Sequence, residues 1–182
     1  MPATRTHPWT ASWAKYCPRC GAPGLHSSDG RRHGCDVCGL EIFHNLAAAV
    51  CAIIYCRDEL ALIVRGREPG RGLLDLPGGF VDPFEDLESA VLREVEEELG
   101  LTLAAPRYLF SVPNTYLYRE VTYRTCDAMF GFTLTHKPVV APNAEVLALH
   151  WRKVASIASN ELAFDSVRAA LLRLRESPLK GV

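Results

Sequence analysis

Residues Gly79 to Leu101 read GFVDPFEDLESAVLREVEEELGL, and this stretch decides the fold. Five residues separate Gly79 from Glu85, and seven separate Glu85 from Arg93. Arg93-Glu94, Glu97-Glu98, Gly100 and Leu101 follow. The spacing predicts a helix over Phe84 to Leu99, with good helix formers, acids in the first turn and Gly100 just past the end. At about 100° per residue, Phe84, Leu87, Val91, Val95 and Leu99 fall on one apolar stripe. Glu94, Glu97 and Glu98 sit at i, i+3 and i+4 and share a face at the edge of that stripe, whereas Glu88 and Glu96 point away. Carboxylates crowded beside a buried stripe repel one another and are costly to desolvate. A hard cation with oxygen ligands relieves both problems. The competing reading is an exposed acidic helix with ordinary surface glutamates.

The two glycines of Leu76-Pro77-Gly78-Gly79-Phe80 permit a tight turn and the close approach of a ligand. With Arg93 and the glutamates, they make a segment that resembles the Nudix box of the Nudix hydrolases at every defined position. That family cleaves nucleoside diphosphates linked to another group and requires divalent metal. The resemblance implies Mg²⁺ or Mn²⁺ held by the Gly78 carbonyl and by Glu94, Glu97 and Glu98. Arg93 would orient the acidic cluster, and Glu85 would support the loop–helix unit. Glu98 and Glu94 are then the best candidates for the general base. Glu145 is the outsider, as a further metal ligand or water activator, against a plain surface acid.

Upstream, Cys17-Pro-Arg-Cys20-Gly and Cys35-Asp-Val-Cys38-Gly form two CxxC knuckles, with a turn expected at Ser27-Ser28-Asp29-Gly30. Four thiolates satisfy tetrahedral zinc and leave no open position, so the spacing predicts a structural Zn²⁺ ribbon over two disulfides or a redox pair. So small a segment buries too little core to stand without the metal. His33 is surplus to that zinc, and no role is assigned to His44, His136 or His150. Cys51, Cys56 and Cys126 lie in apolar, strand-like segments and are expected to be buried reduced thiols.

Residues 1–43 are expected to form an N-terminal arm and zinc ribbon, with Trp9 and Trp13 as anchors, and residues 44–182 the catalytic domain. Strands are expected at Leu46–Cys56, Leu60–Val64, Tyr108–Val112, Val121–Leu134 and Glu145–Trp151, and a closing helix at Glu161–Arg175 whose Leu162, Val167, Ala170, Leu171 and Leu174 face the core. Over roughly residues 45–160 the resemblance implies an α/β fold, an α/β/α sandwich with a mixed sheet.

A ribbon ahead of such a domain is similar to the NADH pyrophosphatase branch of the family. That branch carries a run of the type SQPWPFP after the box. Here the equivalent is Phe110-Ser-Val-Pro-Asn-Thr-Tyr116, which keeps a proline and an aromatic only. The expected activity is therefore cleavage of a nucleotide-linked diphosphate of the NAD(H), ADP-ribose or FAD type, releasing a mononucleotide. Alternatives are a housecleaning pyrophosphatase for nucleoside triphosphates and a non-catalytic nucleotide- or RNA-binding module. Tyr116 is expected to stack on a ring beside the amide of Asn114, unless it packs into the sheet. Arg65 is the leading phosphate contact, with Arg67 and Arg71 as other candidates; at most one of them is expected to make contact, and the competing reading is solvated loop charges. Phe110, Tyr118 and Tyr123 are weaker stacking candidates.

Formal net charge is -1 and no basic run is present, so no nucleic-acid partner is expected. No stretch is apolar enough for a membrane span or signal peptide, and the seven cysteines are an odd number. A cytoplasmic protein with no membrane partner is expected, with a homodimer as an option.

Overall fold

The computed structural model describes residues 15–27, 31–43, 45–119, 121–141 and 143–177. The expected arm with Trp9 and Trp13, Ser28–Gly30 of the turn between knuckles, and His44 lie outside the described residues. The chain divides into two compact units, Met1–Leu46 and Ala47–Val182.

In the first unit, β1 (Arg32–Gly34) pairs antiparallel with β2 (Glu41–Phe43). Each knuckle closes on itself in the same way. The Gly21 amide donates to the Cys17 carbonyl and the Gly39 amide to the Cys35 carbonyl, both at 2.9 Å. Gly21 and Gly39 take φ of 72° and 69°, a left-handed conformation that a Cβ disfavours. All four cysteines carry free thiols, and their ligand atoms lie within 4.8 Å of one another.

The second unit is built on a seven-stranded mixed sheet. Its strands are β3 (Ala47–Cys56), β4 (Glu59–Arg65), β5 (Leu74–Asp75), β6 (Gly78–Phe80), β7 (Arg107–Tyr118), β8 (Val121–Leu134) and β9 (Val146–Arg152). The main order is β5-β4-β3-β8-β7, with β6 joined to β3 and β9 to β4. The long parallel pair β3–β8 runs from Ala47↔Thr125 to Cys56↔Leu134. Helix α1 (Leu87–Leu99) packs on one face and α2 (Asp165–Glu176) belongs to the cluster on the other.

The period of two along a strand builds the two cores. Val50, Ala52 and Ile54 of β3, with Ala128, Phe130 and Phe132 of β8, pack with Val91, Val95 and Leu99 of α1. Ile53 and Met129 point the other way and pack with Val167, Ala170, Leu171 and Leu174 of α2. Both faces are covered, so β3 and the Ala128–Phe132 part of β8 read as continuous apolar runs rather than alternating ones.

The strand expected at Tyr108–Val112 runs on from Arg107 to Tyr118, and three further expectations shift. First, α1 starts at Leu87, because Asp86 takes extended backbone and its side chain accepts from the Ser89 amide at 2.7 Å as the N-cap. Phe84, assigned above to the buried stripe, is instead fully exposed in the preceding loop at φ 71°. Second, the closing helix begins at Asp165, not Glu161. The Glu161 carboxylate accepts from the Ala158 amide at 2.7 Å and pairs with Arg152 at 2.7 Å, which holds Ser159–Glu161 in a separate 3₁₀ turn. Leu162 is buried as expected, but from that turn's end, where it bridges Leu74. Third, Cys56 is buried but Cys126 is exposed, because it faces away from its buried neighbours Thr125 and Asp127 on β8.

Candidate active site and metal centre

The box forms a strand, a loop and a helix that converge on one point. Gly78 on β6 lies at φ 149°, and a Cβ there would sit 2.0 Å from the Val50 carbonyl oxygen. A Cβ on Gly79 would sit 2.5 Å from Oε1 of Glu94. Both positions therefore require glycine, the first for backbone approach to β3 and the second to leave room for a carboxylate.

Arg93 uses all five donors of its guanidinium. Nε and Nη2 grip both Glu85 oxygens at 3.0 Å. Nη1 donates to Glu94 at 2.9 Å and to Glu97 at 3.1 Å, and Nη2 also reaches the Phe80 carbonyl at 3.1 Å. Hydrogen bonds to charged groups contribute about 1.5–3 kcal/mol each. Glu97 is 59% exposed, so its i,i+4 pair is nearer the solvent-screened value of about 0.3–0.5 kcal/mol. The Glu85 and Glu94 contacts therefore set the geometry. Arg93 holds the Glu85 carboxyl below its ordinary range, and its own pKa rises in return.

Glu98 is 6% exposed and accepts from the Gly78 amide at 2.9 Å. Burial pushes its carboxyl up to about 8, against the Gly78 hydrogen bond, and the nearby charges of Asp75, Glu94 and Glu145 add to the rise. Burial likewise raises Glu94, partly offset by Arg93. Glu94 and Glu98 thus bring two sheltered carboxyl groups to the cleft, a donor type that suits a hard divalent cation with oxygen ligands.

Glu145 stands just before β9, and its Oε1 meets Arg67 Nη1 at 2.6 Å. Asn143 ties this segment to the box, since its side-chain amide donates to the Glu98 carbonyl at 3.1 Å. The side-chain oxygen of Asn143 accepts from the Glu145 amide at 2.8 Å.

Gly78, Glu94 and Glu98 line a cleft of about 230 Å³. The sequence also pointed to Arg65 and Tyr116 there, and both line it. Arg65 is held inward: Nη1 pairs with Asp75 at 2.7 Å, Nε donates to the Pro69 carbonyl at 2.8 Å, and its guanidinium lies 4.8 Å from the Phe164 ring centre. Arg67 also lines the cleft and pairs only at an exposed site. Tyr116 meets Phe80 edge-on at 5.5 Å and Phe164 at 5.5 Å, forming an aromatic wall.

Sequence reasoning did not single out Asp75 or Asp127. Asp75 is buried and, because of burial, pushed up to about 6 despite Arg65. Asp127 is also buried and accepts from Asn114 and Thr125. A readable signal existed: acids at Asp75, between Leu74 and Leu76, and at Asp127, beside Ala128-Met129-Phe130, interrupt apolar runs that otherwise fill the core.

In the ribbon, Cys17 and Cys38 sulfurs lie 3.7 Å apart, as do those of Cys20 and Cys35. Sulfurs bound tetrahedrally at about 2.3 Å from zinc lie about 3.8 Å apart. A disulfide requires about 2.05 Å. The donor set and spacing fit zinc.

A mixed sheet with helices on both faces and a glycine–glutamate box that shares a cleft with aromatic rings define the class of the second unit. The NUDIX domain model matches residues 45–174, and the chain belongs to the Nudix family. It is 28% identical over 160 residues to the NAD-capped RNA hydrolase NudC of Deinococcus radiodurans, covering 86% of this chain and 55% of that protein. It is 47% identical over 55 residues to an ADP-ribose pyrophosphatase of Methanocaldococcus jannaschii, covering 30% and 32% respectively. A MutT NUDIX hydrolase structure from Burkholderia pseudomallei superposes with a TM-score of 0.61 at 28% identity, covering 71% of this chain and 98% of that one. The chain spans about half the length, or less, of the curated relatives it matches. The description of the NudC relatives includes RNA, which runs against the expectation that nucleic acid has no part here. Among the described residues, no helix is long and apolar enough to cross a membrane.

Proposed function

We propose that this chain hydrolyses the diphosphate of a nucleotide linked to another group, of the NAD(H), ADP-ribose or FAD type, and releases a mononucleotide. The carrying observation is that Glu94, fixed by the five-donor Arg93 fork, and the buried Glu98 line the same cleft as the aromatic wall of Phe80, Tyr116 and Phe164. One end of the cleft suits phosphate chemistry and the other suits a planar ring. A nucleoside triphosphate carries one such ring, whereas a linked diphosphate of the NAD(H) or FAD type carries a second ring system beyond its diphosphate.

The Gly78 carbonyl, Glu94, Glu97 and Glu98 would hold Mg²⁺ or Mn²⁺, with Glu145 joining from its loop. Such ions neutralise phosphate charge and lower the pKa of a bound water. Arg93 fixes the carboxylate of Glu94 where Gly79 leaves space for it. Glu98, oriented by the Gly78 amide, is the base that receives the water's proton, and Glu94 is the second candidate. Arg67 is better placed than Arg65 to meet phosphate, because its pair with Glu145 is exposed to solvent whereas Arg65 is held by the buried Asp75 and the Pro69 carbonyl. Cys17, Cys20, Cys35 and Cys38 would hold one structural zinc.

The relatives' chemistry extends the proposal to the NAD-capped end of an RNA, which presents the same linkage. The test is a turnover screen of NADH, NAD, ADP-ribose, FAD, diadenosine polyphosphates, NAD-capped RNA and nucleoside triphosphates with Mg²⁺ or Mn²⁺. The expected result is a linked diphosphate as best substrate and a mononucleotide as product. Faster turnover of a plain triphosphate than of every linked compound overturns the substrate class.

A further inference from the structure

We propose that Asp127, held by Asn114 and Thr125, selects a substrate ring that carries an amino or amide N–H₂ group at its edge. The inference rests on the reading that this cleft takes a linked nucleotide, and it adds what the cleft reads.

Strand register places the cluster. In the β7–β8 ribbon, Val112 pairs with Asp127, Asn114 with Thr125 and Tyr116 with Tyr123. Side chains two apart on a strand share a face. Asn114, Asp127 and Thr125 therefore stand on the same face as Tyr116, one step along the ribbon from the aromatic wall, and all four line the cleft. A ring stacked on Tyr116 or Phe164 would bring its edge toward this cluster.

The hydrogen bonding leaves a specific vacancy for a donor. Asp127 is 4% exposed. Its Oδ2 accepts from the Asn114 side-chain amide at 3.0 Å, and its Oδ1 accepts from the Thr125 hydroxyl. The Asn114 amide is fixed in turn, because its oxygen accepts from the Thr115 amide at 2.8 Å. Both partners donate and both are neutral, whereas Asp75, another buried acid of the cleft, is paired with Arg65. A carboxylate offers about four acceptor sites, so two neutral donors leave capacity for more. A buried acceptor of this kind favours a ligand N–H and penalises a carbonyl or carboxylate in the same place. Two ends of one dinucleotide meet the requirement: the exocyclic amine of adenine and the carboxamide of nicotinamide.

The experiment compares three ligands: nicotinamide adenine dinucleotide, its hypoxanthine analogue and its nicotinic acid analogue. Dissociation constants are measured calorimetrically with no divalent cation added, and kcat/KM is measured with it. Binding is read independently of turnover, so a failure to hydrolyse any linked diphosphate would count against the proposed function and not against this selection. The wild-type protein is expected to bind one analogue at least about tenfold more weakly, the size of a lost bond to a charged acceptor. Which analogue suffers identifies the end that Asp127 reads. Asp127→Asn is expected to lose or invert that ratio, since its amide can donate to a carbonyl. Thr125→Val, which removes one orienting donor, is expected to shrink the ratio and serves as a second variant where Asp127→Asn fails to fold. A purely structural Asp127 would lower the thermal midpoint and weaken all three ligands alike. Wild-type affinities within about twofold of one another, or an unchanged ratio in either variant, overturn the proposal.

Discussion

The cleft has two walls of different character. The box wall, from Gly78 to Glu98, is a single short run of chain whose side chains are tied by one arginine. The opposite wall draws Asn114 and Tyr116 from β7, Asp127 from β8 and Phe164 from the start of α2, residues scattered over some fifty positions. Chemistry that needs fixed carboxylates is built locally, where helix periodicity alone sets the spacing. Selection among ligands is built from long-range strand register, where one substitution can change a partner without disturbing the box. The contrast explains how a family can keep one reaction and vary its substrates.

Breaking the box wall should have the largest effect. Arg93→Lys keeps a charge but replaces a five-donor fork with a point charge, releasing Glu85, Glu94 and the Phe80 carbonyl from a common partner. Turnover on the best substrate is expected to fall about a hundredfold, with KM changed far less, in steady-state kinetics. Next comes the ribbon, in the first of the two units. Cys17→Ser is expected to lose its zinc equivalent, measured by elemental analysis, and to loosen the first unit in hydrogen exchange, because binding energy there is folding energy. The second unit has its own two cores, so measurable turnover should persist. Zinc-free wild-type protein purified without chelator would contradict the assignment.

On the other wall, Tyr116→Ala is expected to raise KM for a linked substrate about five- to tenfold, in line with a lost stacking contact, with kcat little changed. A fall in thermal midpoint with KM unaltered would mean that Tyr116 only packs against Phe80 and Phe164. The smallest effect separates the walls by pH. Glu98 lies above its unfolded pKa, at about 8, and Asp75 at about 6. Acids raised in this way favour folding while protonated. Their contribution is complete below the unfolded values near 4 and is lost as pH rises through 6 and then 8. Without added divalent metal, the thermal midpoint should drop by a few degrees between pH 5 and pH 8, and Glu98→Gln should flatten the upper part of that slope. A slope unchanged in Glu98→Gln would place the titration elsewhere.

Legibility followed the same division. The shared face of Glu94, Glu97 and Glu98 could be read because the helix repeats at 3.6 residues, and the glycines marked a turn; the roles of Gly78 and Arg93 came with the Nudix resemblance. The knuckles were equally plain, since CxxC followed by glycine encodes its own turn. Phe84 misled because it continued the apolar stripe, whereas the Asp86 cap, a stronger local determinant, started the helix three residues later. Asp127 was not singled out, although its isolation in an apolar strand was visible. Its partner Asn114 lies 13 residues away, and only the β7–β8 register brings the two together. Arg65 was read as a phosphate contact because it opens an arginine- and glycine-rich stretch before the box; its pairing with Asp75 depends on β4 and β5 being neighbours.

The most direct test of the box wall as the seat of chemistry is kcat of Glu98→Gln on the best linked substrate, with folding verified by thermal midpoint and zinc content. The substitution removes a charge while nearly keeping shape and can still accept from the Gly78 amide. Turnover at least about a hundredfold below wild type is the predicted result, the size expected for losing a positioned catalytic group. Near-normal turnover in a folded Glu98→Gln protein would contradict the account.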